Sequence, residues 1–336
     1  MTPVRIGVAG LGGMGTLHAT TLARLGGCEL VAVAAARPGR ASEVAGDLGV
    51  DACTYPELCS RSDVEAIVLA ARSVDHATVA LEVLRGGKHL FLEKPGATTL
   101  AGHDALRAES ARRPDQVVQI GYMRRFDDGF VDAHRRVAGG EVGTPLVVVM
   151  TSRDMEWPED EDPRDTGGFL LDMASHDYDT ACWFFDDEPV EVVATRQALV
   201  YPGLLDAADL DNAVVTIRFG RGGIAVTHVS RTCTFGHDVR CEVVGSKGSV
   251  FVRGAGDGAD AVLDATHADR FPADYRARFQ RAYERELEAF VGACLGERPA
   301  QPTLADDRRA VAAGVAARAS AVAGSARSVG EDWPWP

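Results

Sequence analysis

The sequence lacks any uninterrupted apolar run long enough to span a bilayer, although 46% of its residues are hydrophobic. Its first residues, MTPVRIGVAG, also lack the basic segment, the apolar stretch and the cleavage site of a secretory signal peptide. We therefore expect a soluble, cytoplasmic protein without a membrane partner. At 336 residues, the chain is long enough for two domains of ordinary size.

Positive charge is scarce as well, because 35 lysines and arginines stand against 49 aspartates and glutamates. The net charge of −14 would repel phosphate backbones, so we expect no nucleic-acid partner. The 7 cysteines are an odd number and none forms a Cys-x-x-Cys pair. This pattern fits neither a disulfide framework nor a structural zinc site.

The first 122 residues alternate short apolar runs, such as VRIGVAG and AIVLAA, with amphipathic segments. Strands this apolar are typical of a parallel sheet buried on both faces, so we predict a doubly wound α/β domain over 1–122. The remainder, 123–336, has longer strands and hairpin-like joints at 222–223 and 246–248. It is predicted to form a mainly antiparallel sheet with two final helices, the second so rich in alanine that it must pack closely.

A glycine-rich run, GLGGMG, occupies residues 10–15 directly after the first predicted strand. Gly10, Gly12 and Gly15 match the pattern G-x-G-x-x-G, in which glycine lets a pyrophosphate approach the N-terminus of a helix. In the first βα turn of a doubly wound domain the run predicts a dinucleotide site that also includes Gly13 and Met14. The alternative is a merely tight turn.

The end of the second strand bears on the choice between NAD and NADP, because NAD-preferring folds usually place an acidic residue there to bind the ribose hydroxyls. Residues 34–36 are alanines, followed by Arg37 and Arg40. A small residue followed by a cation suits a 2′-phosphate, so we predict that NADP(H) is accepted. The alternative is that Arg37 is only a solvated surface charge.

The motif HLFLEKP places Lys94 at the carboxyl end of a predicted parallel strand, just before a proline. Ligands of open α/β sheets bind at this edge, so the Lys94 ammonium is predicted to hydrogen-bond a substrate oxygen and to take part in proton transfer. Alternatively, Glu93 and Lys94 are surface charges at a strand end.

The stretch GGFLLDMASHDYD carries ionisable residues among apolar ones. If 168–185 is one helix, Asp172, His176 and Asp179 lie on the same face, and a carboxylate four residues from an imidazole can raise its pKa and orient it. His176 is then a candidate general base for a hydroxyl proton. A metal site, which would need further ligands, and a buried structural Asp-His pair are the alternatives. We expect no metal.

With GLGGMG, LEKP and GGFLLDMASHDYD in this order, the sequence resembles the Gfo/Idh/MocA family of sugar and polyol dehydrogenases over nearly its full length. Within that family it is most similar to the inositol 2-dehydrogenases. The resemblance implies a Rossmann domain followed by a substrate-binding α/β domain whose large open sheet often builds homodimers or homotetramers. It also implies that His176 is the general base, that Asp172 binds the substrate and modulates proton transfer, and that Lys94 donates to the same substrate oxygen. Hydride then passes to C4 of the nicotinamide.

Several positions depart from the family pattern. Ala35 replaces an acidic residue, Ala71-Arg72 replaces a threonine-proline pair, and 235–238 (FGHD) replaces a stretch with two tyrosines. The expected cofactor site adds Ala71, Arg72, His76, Glu93 and Lys94 to the residues above. The expected substrate site contains Arg124, Arg153, Trp157, Asp172, His176, Phe235 and His237. Alternatively, the two arginines are structural ion-pair partners, and the tryptophan is a buried anchor for its loop.

These features favour an NAD(P)-dependent dehydrogenase that reversibly oxidises a secondary alcohol of a cyclic polyol, such as myo-inositol, to the ketone. A second hypothesis is a dehydrogenase or ketoreductase of a pyranose, an amino sugar, an aminocyclitol or a nucleotide sugar. A third, from another class, is a non-catalytic NAD(P)-sensing protein. The presence of Lys94, Asp172 and His176 together argues against the third hypothesis, since a sensor needs no proton acceptor.

Overall fold

The protein, seen in a computed structural model that describes residues 2–155, 162–252 and 271–333, folds as two compact units. The first unit comprises Met1–Tyr122 and Tyr283–Arg308, and the second comprises Met123–Ala282 and Arg309–Pro336. The break after residue 122 lies where the sequence pattern changes. Residues 283–308, however, which the sequence analysis assigned to the second domain, belong to the first unit.

The first unit contains a six-stranded sheet in which all neighbouring strands are parallel, in the order β3-β2-β1-β4-β5-β6. Its strands are β1 (Val4–Ala9), β2 (Cys28–Ala34), β3 (Asp51–Cys53), β4 (Ala66–Leu69), β5 (His89–Glu93) and β6 (Val118–Gly121). Its helices include α1 (Gly13–Leu22), α2 (Pro38–Leu48), α3 (Tyr55–Ser60), α4 (Ser73–Arg85) and α5 (Leu100–Ala111). This strand order is that of dinucleotide-binding folds, so the predicted doubly wound domain is confirmed.

The return of residues 283–308 to the first unit has a hydrophobic cause. Leu287, Phe290 and Val291 are buried in the same core cluster as Ile6 and Phe91 of the sheet. Exposing three such side chains would cost roughly 1.5–3 kcal/mol each, so this part of the chain is held to the first unit.

The second unit contains a seven-stranded sheet in the order β12-β11-β7-β10-β9-β8-β13. Its strands are β7 (Pro145–Arg153), β8 (Pro189–Gln197), β9 (Asn212–Phe219), β10 (Ile224–Ser230), β11 (Asp238–Gly245), β12 (Ser249–Val252) and β13 (Arg327–Ser328). Among the described strands of this sheet, β7 and β10 are the one parallel pair, which confirms the prediction of a mainly antiparallel sheet. Along β9, residues alternate between buried and exposed, so one face covers the core and the other is open.

The helices of the second unit include α6 (Asp128–Ala138), α7 (Pro163–Thr166), α8 (Phe169–Asp172) and α9 (Ser175–Phe185), with short 3-10 helices at Met123–Phe126 and Pro202–Ala207. Two long helices, α10 (Tyr275–Cys294) and α11 (Leu304–Ala323), each contribute residues to both units. The alanine-rich α11 packs closely, as predicted: a Cβ on Gly314 would lie 2.6 Å from the Leu171 side chain. Among the described residues, no helix combines the length and apolar composition needed to cross a membrane.

The prediction of one continuous helix over 168–185 is wrong, because α8 ends at Asp172 and α9 begins at Ser175. The Ser175 hydroxyl donates to the main-chain oxygen of Asp172 at 2.8 Å. Such a local side-chain bond competes with the helical hydrogen-bond pattern, which explains the interruption.

Candidate active site

The glycine-rich loop joins β1 to α1, and two of its glycines are required by close packing. Gly10 has a φ of 92°, and a Cβ there would lie 2.4 Å from the main chain of Ala70, at the end of β4. A Cβ on Gly15 would lie 1.8 Å from the main-chain oxygen of Gly10. Any side chain at these positions would therefore force the loop away from the sheet.

Gly12 has a different role, because a Cβ there would have no atom within 4 Å. It is the N-cap of α1, and no side chain caps this helix. The first helical residues are Gly13, Met14 and Gly15. Their main-chain N–H groups have no partner within the helix, and the room beside Gly12 suits the approach of an anion. This cradle fits the pyrophosphate of a dinucleotide.

The two predicted phosphate-binding arginines occupy different positions beside this loop. The Arg40 guanidinium donates to the main-chain oxygen of Leu11 at 3.2 Å and to the Thr16 hydroxyl at 3.1 Å, and it pairs with Glu43 at 2.9 Å. Arg37 precedes α2 with its side chain exposed, after the buried Ala35. Arg40 thus supports the loop, while the side chain of Arg37 remains accessible to a ligand.

Two of the residues after β4 that were predicted to bind the cofactor have partners within the protein. His76 is buried, with one ring nitrogen 2.8 Å from the oxygen of Pro95 and the other 3.0 Å from the oxygen of Ala71. Burial lowers the pKa of His76, and a neutral imidazole donates to one of these oxygens at a time. His76 therefore links the loops that follow β4 and β5, whereas Arg72 is exposed and pairs with Asp75 at 2.9 Å.

Glu93 and Lys94 lie at the carboxyl end of β5, the edge at which the sequence analysis placed them. Glu93 is buried, its carboxylate lies 2.6 Å from the ring of His18, and it accepts a hydrogen bond from the Lys94 main-chain N–H at 3.2 Å. Glu93 is therefore not a surface charge. Lys94 is half-buried.

In the second unit, burial distinguishes Asp172 and His176 from their neighbours. Every residue from Phe169 to Cys182 is buried except these two, which are partly exposed. Asp172 ends α8 and His176 stands at the start of α9, so their spacing of four residues is kept across the break between the helices. Asp172 and His176 are therefore the two residues of this segment that water and small ligands can reach.

The neighbouring aspartates have structural partners instead. Asp177 binds the buried Arg124 guanidinium and accepts from the hydroxyls of Ser152 at 2.7 Å and Thr227 at 2.5 Å. Arg124, a predicted substrate residue, is only 3% exposed and also donates to Ser152 at 2.9 Å. Arg124 therefore forms the structural ion pair that the sequence analysis gave as the alternative to substrate binding.

Asp179 likewise does not join the exposed pair. Both of its carboxylate oxygens accept from Arg125, at 2.9 and 2.6 Å, and the pair is buried. The Arg125 guanidinium also lies 5.4 Å from the centre of the Trp183 ring, which stacks on His134 at 4.0 Å. A bidentate pair of this kind fixes α9 to the 3-10 helix before α6.

Arg231, at the end of β10, was missed by the sequence analysis. Its guanidinium is buried, pairs with the buried Asp209 at 3.2 Å and lies 4.0 Å from the centre of the Phe169 ring. Asp209 accepts from the Phe169 main-chain N–H at 3.0 Å, which holds the first residue of α8. Burial lowers the pKa of Arg231, and the carboxylates of Asp209 and Asp172 oppose this effect. A cation therefore lies within electrostatic reach of Asp172.

The other predicted substrate residues lie near the ends of β7 and β11. Arg153 pairs with Asp238 at 3.5 Å, and its guanidinium lies 3.3 Å from the His228 ring. His237 is buried and lies 2.6 Å from the carboxylate of Asp154. Phe235 packs on Phe271 at 4.8 Å between ring centres. Trp157 lies outside the described residues.

Comparison with protein-family models gives two matches. Residues 4–122 match the oxidoreductase family with an NAD-binding Rossmann fold, and residues 130–251 match the GFO/IDH/MocA C-terminal domain. Together they span most of the chain.

Individual proteins are similar over almost the full length. The chain is 33% identical over 321 residues to the myo-inositol 2-dehydrogenase of Thermotoga maritima, covering 94% of this chain and 96% of that one. It is 32% identical over 293 residues to the scyllo-inositol 2-dehydrogenase (NAD(+)) of Bacillus subtilis, covering 86% and 85%. The crystal structure of a myo-inositol dehydrogenase from Corynebacterium glutamicum superposes with a TM-score of 0.87 at 27% identity, covering 98% and 100%.

Proposed function

Because the chain belongs to the Gfo/Idh/MocA family of NAD(P)-dependent oxidoreductases acting on CH–OH groups, we propose that it oxidises one secondary alcohol of a cyclic polyol such as myo-inositol to the ketone. The observation that carries the proposal is the exposure of Asp172 and His176 alone within a buried segment of the second unit. The names of the relatives, myo- and scyllo-inositol 2-dehydrogenases, support a cyclitol substrate.

In this proposal His176 accepts the proton of the reacting hydroxyl. A general base must be reached by the substrate. The partly exposed residue His176 meets this condition, whereas the buried Asp177 and Asp179 do not. Asp172 binds the substrate and orients His176, and Lys94 donates a hydrogen bond to the reacting oxygen. When bound, the nicotinamide supplies the hydride acceptor.

We also propose that NADP is accepted beside NAD. The support is the buried Ala35, where a carboxylate would repel a 2′-phosphate, and the exposed Arg37 that follows it. Arg40 would contribute to cofactor binding indirectly, by holding the glycine-rich loop, since its guanidinium contacts Leu11 and Thr16.

We propose further that the open face of the seven-stranded sheet joins chains into a homodimer or homotetramer. This face exposes large apolar side chains in regular strands: Val149 is 40%, Val193 42%, Val214 47% and Phe251 54% exposed. Apolar patches of this kind are typical of interfaces.

All 7 cysteines are free thiols, which is consistent with a cytoplasmic location.

The test is a set of initial rates with NAD⁺ and NADP⁺ on myo-inositol, scyllo-inositol, glucose, galactose and xylose at alkaline pH. We expect turnover of an inositol, and we expect His176→Ala to lower kcat by roughly two to four powers of ten while dinucleotide binding persists. His134→Ala is the matched control, because this imidazole stacks on Trp183 in the same unit and should affect stability only. A His176→Ala enzyme with undiminished kcat would reject the assignment of the base, and binding without turnover of any substrate would favour a sensor.

A further inference from the structure

Three ionisable side chains meet inside the first unit, next to Lys94. His18 of α1, Glu93 of β5 and Glu286 of α10 are all buried, and their donor and acceptor atoms lie within 4.8 Å of one another. Two ionised carboxylates this close in a dry interior would repel strongly. A metal ion or a proton must therefore reduce the charge.

The distance between His18 and Glu93 distinguishes a metal ion from a proton. The ring nitrogen Nε2 lies 2.6 Å from Oε1 of Glu93. Two ligands of one zinc ion, each bonded at about 2.0–2.1 Å in tetrahedral geometry, would be about 3.3 Å apart. The shorter distance is that of a hydrogen bond, in which a proton lies between nitrogen and oxygen.

The two glutamates differ in what surrounds their carboxyl groups. Glu93 has two hydrogen-bond donors, the His18 ring and the Lys94 main-chain N–H at 3.2 Å. Neither carboxyl oxygen of Glu286 has a hydrogen-bond partner within the described part of the chain. Burial and the charge of Glu93 raise the pKa of Glu286 well above the usual range.

Within the described part of the chain, Glu93 is the charged neighbour that affects Glu286, and other side chains around the cluster are uncharged. The Gln119 side chain of β6 donates to the main-chain oxygen of Glu286 at 2.8 Å, and the rings of Phe91 and Tyr283 approach His18 edge-on at 5.4 and 6.2 Å. Gly121 of β6 also fits the cluster, since a Cβ there would lie 3.0 Å from the Glu93 carboxyl carbon. The carboxylate of Glu93 is therefore confined on several sides.

We propose that Glu286 is a carboxylic acid that stays protonated at neutral pH, and that His18 holds Glu93 where it fixes the main chain of Lys94. His18 and Glu93 are then positioning residues for Lys94, while a neutral Glu286 leaves Glu93 without a second negative charge beside it. None of the three touches the substrate. The consequence for turnover rests on the proposed function of Lys94. The protonation state of Glu286 does not rest on that function.

The first experiment measures protonation directly. The infrared spectrum of the full-length protein at neutral pH should contain the carbonyl band of a buried carboxylic acid, and this band should disappear in Glu286→Gln. Since glutamine mimics the neutral acid, Glu286→Gln should also keep kcat and its pH profile within about twofold. Absence of the band, or a stoichiometric metal that is found by elemental analysis and lost in Glu286→Gln, would overturn the proposal.

The second experiment tests the link to Lys94 with a double-mutant cycle. We expect Glu93→Gln to lower kcat about tenfold in the otherwise native enzyme and less than about twofold in a Lys94→Ala background, because both changes remove the same positioning. Independent, multiplying effects would refute the link. His18→Gln, which keeps a hydrogen-bond donor near the position of Nε2, should retain more activity than His18→Leu. Equal losses of activity in these two variants would count against the proposal. This comparison can be made even if Glu93→Gln does not fold.

If the enzyme turns over none of the substrates tested, the proposed function fails and the kinetic cycle cannot be run. The infrared band still decides the protonation of Glu286 in that case. The two failures are therefore distinguishable.

Discussion

Replacing Arg231 by methionine should be among the most damaging single changes in the second unit. The guanidinium and its partner Asp209 are 4% and 2% exposed, so the substitution leaves a carboxylate buried without its cation. Removing one partner of a buried ion pair typically costs about 3–5 kcal/mol. With a urea dependence of about 2–3 kcal/mol per molar, the unfolding midpoint of this unit should fall by about 1–2.5 M.

The loss should depend on pH in a defined direction. Burial already raises the pKa of Asp209 above 3.8 despite the attraction of Arg231, so folding favours the protonated acid. In Arg231→Met the pKa of Asp209 must rise further, because the attraction is lost. A raised folded-state pKa means that the Asp209 contribution to stability improves as pH falls towards the ordinary carboxyl range. The difference from the native protein should therefore be largest at neutral pH and should shrink on acidification.

The assay is urea unfolding followed by circular dichroism at several pH values. Arg218→Met is the matched control, since its pair with Glu191 is 56% and 44% exposed and should contribute less than about 1 kcal/mol. Adding Asp209→Asn to Arg231→Met should recover part of the loss, because no unpaired charge remains. Equal losses in Arg231→Met and Arg218→Met, or a loss that does not change with pH, would refute the reasoning.

Three further changes test other parts of the structure. Gly12→Val should leave the unfolding midpoint nearly unchanged and weaken dinucleotide binding at least about tenfold, whereas Gly15→Ala should lower stability, because only a side chain at Gly15 clashes with the loop. Calorimetric titration measures the binding and thermal unfolding measures the stability; equal stability losses in the two variants would contradict this prediction. Arg37→Ala should raise the KM for NADP⁺ much more than that for NAD⁺ in initial-rate measurements, and equal effects would remove Arg37 from the 2′-phosphate site. Val149→Glu should shift the mass measured by light scattering towards the monomer, while an unchanged mass would exclude the open face at this position.

The parts of the fold that follow a strong local pattern could be predicted from the sequence. The five apolar strands β1, β2, β4, β5 and β6 of the first unit and its glycine-rich turn belong to this class. The sixth strand, β3, could not, because its three residues are polar or partly exposed and lie at the sheet edge. The helix α3 beside it did carry a recognisable signal, the capping box of Thr54 and Glu57.

Pairs between distant charged residues could not be predicted in the same way. Nothing in local spacing joins Arg231 to Asp209, or Glu286 to His18, since each pair depends on which strands and helices become neighbours. A buried charge in a sequence indicates that a partner exists, but it does not indicate which residue is the partner.

The candidate base shows how tertiary contacts refine a local pattern. Helical spacing grouped Asp172, His176 and Asp179 on one face, yet Asp179 is paired with Arg125, and Asp177 is paired with Arg124. Two consecutive arginines thus hold two aspartates on different sides of α9, directly after His176. Each of these pairs is buried and hydrogen-bonded, so the start of α9 is fixed in position by contacts that do not involve the substrate. The same pairs neutralise the two neighbouring carboxylates, which leaves Asp172 as the nearby carboxylate accessible to a ligand.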